Sequence, residues 1–153
     1  MSVAFLLSHL RALPEMLLLA GACALMILDL LSKDERRGLS FWFAQAVLAL
    51  CFLATLFVIA ESAGTRYTIF YGMFVSDLLS HVLKLFGYMA VSAALVYSRQ
   101  YLFDRGLLRG EFLTLLLFAL LGVMVMVSAN SFITVYLGLE LLSLCLYAMV
   151  ALN

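Results

Sequence analysis

Five apolar stretches dominate the sequence, and each is long enough to cross a lipid bilayer as a helix. A transmembrane helix needs about 20 predominantly apolar residues. The stretches that meet this requirement are Leu13–Leu31, Ser40–Ala60, Ser76–Ser98, Glu111–Ala129 and Ser131–Leu152. Because 67% of the 153 residues are hydrophobic and only 12% are charged, the polar side chains are too few to cover a soluble globule. The sequence therefore predicts an all-α, polytopic transmembrane bundle of five helices, forming a single domain over residues 1–153.

The basic residues predict how the helices cross the membrane. Six of the nine Lys and Arg residues lie where the first helix joins the second and the third joins the fourth: Lys33, Arg36, Arg37, Arg99, Arg105 and Arg109. The opposite side carries only Arg11 and Arg66. Cytoplasmic loops are enriched in Lys and Arg, so we expect the N-terminus to lie outside. Aromatic residues that fit an interfacial belt flank the basic side: Phe41, Trp42, Phe43, Tyr97 and Tyr101.

Glu140 is a single carboxylate near the middle of the last apolar stretch. An ionised side chain at that depth costs roughly 2.5–3.5 kcal/mol on insertion scales, so a chain keeps one mainly where it has a partner or a function. Tyr136, Glu140, Ser143 and Tyr147 recur at spacings of four, three and four and so share one helix face. This polar stripe favours ion or proton handling over the alternative, in which Glu140 only fixes helix packing through hydrogen bonds.

The third apolar stretch carries a second polar face, whose members recur every three or four residues: Asp77, His81, Lys84, Tyr88 and Ser92. Two roles are open for Lys84: a structural counter-charge for a carboxylate, or a member of a chain of protonatable groups. Whether its partner is Glu140 is left open by the sequence. For Asp77 and His81, a solvated or locally hydrogen-bonded pair is the favoured interpretation.

The other polar residues within the apolar stretches have local explanations. Glu15 lies in the first helical turn, where the positive end of the helix dipole stabilises a carboxylate. Asp29 precedes Lys33 by four residues, and a local ion pair between them is predicted. Gln45 and Thr55 are predicted to form hydrogen bonds between helices.

The sequence excludes several classes of function. The formal net charge is zero, so no overall field attracts nucleic acid. The three cysteines lie in apolar runs without CxxC spacing and are interpreted as buried small hydrophobic residues, not as a disulfide or a metal site: Cys23, Cys51 and Cys145. There is no Gly-rich phosphate loop, nucleophile triad or metal cluster. We therefore expect no cofactor or metal in this chain.

Two connections have predictable structure. The fourth and fifth helices are joined by little more than residues 128–131, so they must be antiparallel neighbours. Small residues on both helices permit a close approach: Gly122, Ser128, Gly138 and Ser143. The segment Glu61–Val75 is rich in aromatic and β-branched residues and predicts a short extended or hairpin element at the outer surface.

Several of these residues resemble a known family. The segment Glu111–Asn153, and within it LGLELLSL with Glu140 in the glutamate position, is similar to the antiporter-like subunit N of the proton-pumping NADH:quinone oxidoreductase, respiratory complex I. LPEMLLL at Leu13–Leu19, and the VSD of Val75–Asp77 followed by Lys84, resemble the early helices of that subunit. The resemblance is specific from Glu111 onward and covers the rest of the chain in outline.

The resemblance implies a membrane-arm subunit in which this glutamate neighbours a lysine on a later, interrupted helix, along a polar axis that moves protons. It makes Glu140 the leading residue for proton translocation and Lys84 a lesser candidate. The later lysine would lie beyond Asn153, so the chain is expected to be a fragment of a larger subunit. The implied partners are the lipid bilayer and other membrane-arm subunits, including neighbouring antiporter-like subunits, and not nucleic acid.

The resemblance also implies where the protein is located and which parts of the complex bind the cofactors. It places the protein in the bacterial inner (plasma) membrane, with a periplasmic N-terminus. NADH, FMN, iron–sulfur clusters and quinone are expected elsewhere in the complex. Two alternatives stay open: a cation/proton antiporter subunit of a multi-subunit Na+/H+ exchanger, and a non-conducting membrane scaffold. The LGLELLSL segment and the Leu-Pro-Glu start favour subunit N.

Overall fold

The computed structural model describes residues 11–31, 37–62, 66–104 and 110–152. Within these ranges the elements follow in the order α1 (Leu13–Leu31), α2 (Arg37–Ser62), β1 (Tyr67–Ile69), β2 (Phe74–Ser76), α3 (Leu78–Asp104), α4 (Gly110–Val127) and α5 (Phe132–Ala151). All five of these described helices are long and apolar enough to cross a membrane. The predicted all-α bundle is confirmed. Helix α3 continues past Ser98 to Asp104, because helical hydrogen bonding does not stop where the apolar stretch ends.

Helix α4 lies at the centre of the bundle. It packs against α1, α2, α3 and α5, and it is apolar on nearly all sides, as expected for a helix without a solvent face. Leu113, Leu117 and Met124 on α4 are each 1% exposed or less. Helix α5 packs mainly against α4 and leaves most of its own surface uncovered, so one side of the described bundle is formed by an exposed helix.

The contact between α4 and α5 depends on two glycines. A Cβ atom added to Gly122 would lie 2.8 Å from the carbonyl oxygen of Gly138 and 2.9 Å from the backbone nitrogen of Leu142. Real Cβ atoms are not found that close to backbone atoms, so the two helices approach to a distance that only glycine permits. The predicted antiparallel pair is confirmed, and Gly122 and Gly138 are the small residues on which it depends.

A β-hairpin joins α2 to α3. Strands β1 and β2 are antiparallel, with Tyr67 opposite Ser76 and Ile69 opposite Phe74. The turn places Phe70, Tyr71 and Gly72 at φ values of 54°, 56° and 84°. Only Gly72 adopts this left-handed conformation without a steric cost. The predicted hairpin in this segment is confirmed.

The turn between α4 and α5 pairs with the hairpin. The Val75 N–H donates to the Ser128 carbonyl at 2.8 Å, and the Asn130 N–H donates to the Met73 carbonyl at 2.9 Å. The Asn130 side-chain amide donates to the Gly72 carbonyl at 2.7 Å. Lipid does not tolerate an open sheet edge or exposed irregular backbone. This end of the bundle, called the hairpin end below, must therefore lie at a membrane surface.

At the opposite end, the predicted aromatic belt is only partly observed. Trp42 is 63% exposed and Tyr97 is 93% exposed, as expected for rings that face the lipid interface. Phe41 is buried instead, at 3% exposure. The Arg99 guanidinium lies 4.9 Å from the centre of the Phe41 ring, a cation–π distance. Phe41 is therefore a core residue and not a member of the belt.

Reciprocal hydrogen bonds fix the start of α3. The Asp77 carboxylate accepts the Ser80 N–H at 2.8 Å, and the Ser80 hydroxyl accepts the Asp77 N–H at 3.2 Å. This is the capping-box arrangement, which satisfies donors that the first helical turn leaves free. Partial burial raises the pKa of Asp77, but the hydrogen bonds from Ser80 and the charges of Arg66 and His81 lower it more, so that pKa lies below its usual range. The locally hydrogen-bonded interpretation of Asp77 agrees with this geometry.

Replacing Asp77 by alanine is expected to cost about 1 kcal/mol of folding free energy, because the cap is lost. Since the folded state lowers the pKa of Asp77, its stabilisation is present above the pKa of the unfolded chain and is lost as pH falls through the folded-state pKa. Thermal unfolding of the purified full-length protein in detergent over an acidic pH series would measure both effects. Asp77→Asn retains a cap but does not titrate, so its stability should not show the additional loss at acidic pH. Equal stability of Asp77→Ala and the unmodified protein would contradict the assignment.

Candidate functional site

The polar face predicted on α3 points into the bundle. His81, Lys84 and Tyr88 are 1%, 2% and 1% exposed. Ser92, one turn further along, is half-buried. A helical face this polar is seldom buried unless each group finds a partner or has a function. The partners of these residues come from α1, α2 and the hairpin.

Lys84 forms an ion pair with Glu15, in the first turn of α1. The Lys84 ammonium nitrogen lies 2.5 Å from one carboxylate oxygen of Glu15, and the two side chains are 0% and 10% exposed. The Phe74 ring of β2 covers the ammonium, with 5.2 Å between the nitrogen and the ring centre. The carboxylate partner of Lys84 in the described chain is thus Glu15 and not Glu140. The helix dipole, which explained Glu15 in the sequence, does not account for this pair.

The Glu15–Lys84 pair has few other polar contacts. Among the described residues, neither Glu15 oxygen nor the Lys84 nitrogen has a hydrogen bond beyond the ion pair. An ammonium group carries three donors, and a carboxylate can accept from several directions. A buried ion pair repays the cost of removing both charges from water only when further hydrogen bonds satisfy them. This pair therefore contributes little net stability compared with apolar residues of the same size.

His81 contacts the hairpin from the same face of α3 as Lys84. Its Nε2 atom lies 2.9 Å from the Ser76 hydroxyl, and Ser76 is 1% exposed. The proton in this bond belongs to either group, according to the histidine tautomer. Within the described ranges the other ring nitrogen, Nδ1, has no partner. His81 and Lys84 are three residues apart and share one face of α3.

Hydroxyl groups continue the polar contacts on the other side of the ion pair. The Thr55 hydroxyl on α2 donates to the Cys51 carbonyl at 2.8 Å, and its oxygen lies 3.4 Å from the Tyr88 hydroxyl oxygen. Another turn along, Gln45 and Ser92 bond reciprocally. The Gln45 amide donates to the Ser92 carbonyl at 3.2 Å, and the Ser92 hydroxyl donates to the Gln45 side-chain oxygen at 2.7 Å. The predicted inter-helix roles of Gln45 and Thr55 are confirmed.

Glu140 is in a different environment. It is half-buried on α5, where Tyr136 hydrogen-bonds to it. Tyr136 and Tyr147, on the same stripe, are 58% and 72% exposed. Because α5 packs mainly against α4, this stripe has an open side that the described chain does not cover. The two polar faces predicted from the sequence therefore do not meet within the described residues.

Of two further local predictions, one is not tested and one is revised. Lys33, the predicted partner of Asp29, lies outside the described residues, so their ion pair stays a prediction. The Asp29 carboxylate lies beside Gly110 at the start of α4, where the positive end of that helix dipole stabilises it. Of the three cysteines, Cys51 and Cys145 are buried, but Cys23 is exposed on α1. The prediction that all three are buried is wrong for Cys23, since an apolar run has a lipid-facing side as well as a core side.

Comparison with known proteins extends these observations. The chain is 55% identical over 142 residues to NADH-quinone oxidoreductase subunit N of Nitrosomonas europaea, covering 93% of this chain and 29% of that protein. It is 47% identical over 149 residues to the protein of the same name from Laribacter hongkongensis, covering 96% of this chain and 30% of that protein. The Methylovorus glucosotrophus protein of this name is 48% identical over 142 residues. No family model matches the chain.

The matched region spans only about 30% of the length of these curated relatives, and it is their N-terminal part. Together with five helices that are long and apolar enough to span a bilayer, these relatives identify a multi-pass membrane protein. The family resemblance predicted from LGLELLSL and LPEMLLL is confirmed: the chain is related, over nearly its whole length, to the N-terminal part of NADH-quinone oxidoreductase subunit N.

Proposed function

We propose that this chain forms part of a proton-translocating membrane-arm subunit of NADH:quinone oxidoreductase, respiratory complex I. The observation that carries the proposal is the 55% identity, over 93% of the chain, to a protein with that name. NADH, FMN, iron–sulfur clusters and quinone are then bound by other parts of the complex. The partners are other membrane-arm subunits, among them neighbouring antiporter-like subunits, and the lipid bilayer.

Glu140 is the residue to which we assign proton translocation. Its stripe on α5 has an uncovered side, and the relatives continue for more than twice the length of the matched region. A helix from that later region, carrying the lysine that the family resemblance implies, would complete the environment of the carboxylate. There the Glu140 charge would hold the lysine protonated, and a change in their separation would release or take up a proton. Lys84 remains a lesser candidate in this scheme.

The proposed orientation follows from charge. Six of the nine basic residues lie in the α1–α2 and α3–α4 connections or in the helix ends beside them, which favours a cytoplasmic location for these connections and a periplasmic location for the hairpin end. The three relatives named above come from bacteria. A bacterial inner membrane location is consistent with both observations.

Glu140→Gln in the intact complex is the direct test. We expect assembly and NADH oxidation to persist, while the number of protons pumped per NADH falls by the share that this subunit contributes, because its proton-transfer group has been removed. Proteoliposomes that report the pH gradient and NADH oxidation together provide the measurement. Glu111→Gln is the matched control, because Glu111 is an exposed carboxylate at the start of α4 and should pump normally.

The alternatives give different results in the same assay. Unchanged pumping in assembled Glu140→Gln complex would favour a non-conducting scaffold. Proton exchange that depends on sodium or potassium and needs no NADH would favour an antiporter subunit. The names of the relatives favour complex I over the antiporter, and the Glu140→Gln assay decides between a conducting subunit and a scaffold.

A further inference from the structure

The polar contacts within α1, α2 and α3 follow one line along α3, which we call the polar line. Its members, from the hairpin end inward, are Ser76 with His81, Lys84 with Glu15, Tyr88 with Thr55, and Ser92 with Gln45. From His81 to Ser92 the helix rises about 16 Å at about 1.5 Å per residue. That is about half of a hydrocarbon core that is about 30 Å thick. The line therefore leads from a membrane surface to the middle of the span.

The ion pair is the part of the polar line that joins a carboxylate to an ammonium group. It includes no group of α5, and its carboxylate belongs to α1, so it is separate from Glu140. A buried ion pair can often be replaced by well-packed apolar residues of similar volume without loss of stability, so packing alone is a weak reason for these two charged residues. Charged residues at membrane depth that packing does not require commonly mark paths for ions or protons.

We propose that Glu15 and Lys84 form a second protonatable site of this subunit, which exchanges protons with the hairpin end through His81 and Ser76. The proposal rests on the proposed function, since it concerns a subunit that moves protons. It adds a site in α1–α3 to the one assigned to Glu140. The other titratable groups near the pair are Cys51 on α2 and Tyr88 on α3, with Asp77 and Arg66 nearer the surface.

The transfer of one proton past the ion pair takes three steps. One N–H bond of the Lys84 ammonium breaks and an O–H bond forms on Glu15, which leaves a neutral amine and a neutral acid. An imidazolium at His81, charged from the hairpin end, then gives its proton to the Lys84 amine and becomes neutral. Finally the O–H bond of the Glu15 acid breaks and its proton goes to a water molecule on the side of Tyr88 and Thr55, which releases one of its own protons to water further inward, and the original ion pair returns. One proton has then moved inward, and the reverse order moves one outward.

The first test uses the intact complex in proteoliposomes. The double variant Glu15→Gln/Lys84→Met removes both charges together, so it leaves no uncompensated charge and should assemble. We expect NADH oxidation to persist and protons pumped per NADH to fall. Asp29→Asn is the matched control, since it neutralises a carboxylate at the other end of α1 and should pump normally. Glu15→Asp, which keeps both charges, should retain part of the pumping that the double variant loses.

A second measurement does not depend on turnover. Infrared difference spectra of the purified full-length subunit after a pH jump should contain a carboxylic acid band that disappears in Glu15→Gln, shifts in Glu15→Asp and persists in Glu140→Gln. His81→Gln should slow the appearance of this band. Should the double variant fail to assemble, this band decides the question: its absence overturns the proposal.

The two proposals fail in distinguishable ways. If the double variant pumps as well as the unmodified complex while Glu140→Gln does not, the second site is refuted and the proposed function stands. If neither variant lowers pumping, the proposed function itself is wrong.

Discussion

Replacing Lys84 alone by methionine is expected to destabilise the folded protein by about 3–5 kcal/mol, because it leaves the Glu15 carboxylate buried without a partner. Glu15 is 8% exposed, and no other cation pairs with it among the described residues. Chemical or thermal unfolding of the purified full-length protein in mild detergent would measure the loss.

The double variant separates the charge effect from packing. Glu15→Gln/Lys84→Met should recover most of the stability that Lys84→Met loses, which gives a large favourable coupling energy in a double-mutant cycle. Arg99→Met is the matched control. Arg99 is exposed and its guanidinium lies over the Phe41 ring, so its loss should cost about 1 kcal/mol or less. Similar small losses for Lys84→Met and Arg99→Met would mean that the Glu15–Lys84 pair is not buried as described.

Gly122→Ala is expected to destabilise the α4–α5 pair by about 2–3 kcal/mol, because the added methyl group meets backbone atoms that cannot move aside. The new Cβ would be 2.8 Å from the Gly138 carbonyl oxygen. The helices must separate to accept it, and the separation would disturb the placement of Glu140 two residues beyond Gly138. Thermal unfolding should therefore show a lower midpoint, and cross-linking between cysteines introduced on α4 and α5 should become slower.

Gly87→Ala provides the control for this prediction. A Cβ atom at Gly87 would meet only the Leu120 methyl group, at an ordinary contact distance of 3.4 Å. Alanine is favoured over glycine in a helix interior by up to about 1 kcal/mol. The two Gly→Ala changes should thus alter the free energy of unfolding in opposite directions. An unchanged or raised unfolding midpoint for Gly122→Ala would refute the close approach of the two helices.

Much of the fold could be predicted because a lipid bilayer permits few backbone conformations. Backbone groups in a bilayer must bond within a helix or a closed barrel, so five long apolar stretches predict five helices. The 3.6-residue period then fixes which residues share a face. For this reason the spacing of polar residues along the chain is enough to predict the polar faces around Lys84 and Glu140. The short 128–131 connection likewise required α4 and α5 to be neighbours.

The partner of Lys84 could not be predicted in the same way. Helical period fixes the relation between residues of one helix, but not how that helix is rotated toward another. Glu15 also had a sufficient local explanation in the helix dipole, which concealed its tertiary role. One signal was available: Glu15 and Lys84 have opposite charges and both lie within two turns of helix ends that the predicted topology places on the same side.

For Glu140 the predicted site remains a prediction. The sequence placed it on a polar stripe, and the structure shows that stripe on the uncovered side of α5. We propose that the group that completes it belongs to the later part of the subunit, which the relatives contain and the matched region does not. No property of α1–α5 could have identified that group, since helix period and composition describe only the residues present.

The pairing of the α4–α5 turn with the hairpin has a mechanical consequence. Val75 is bonded to the backbone of Ser128, and its neighbour Phe74 is the ring that covers Lys84. A shift of α4 and α5 along their axes would therefore move β2 as well, and the Phe74 ring would move away from the Lys84 ammonium group. A movement of α5 near Glu140 would in this way change the surroundings of Glu15 and Lys84, although the two sites are not in direct contact.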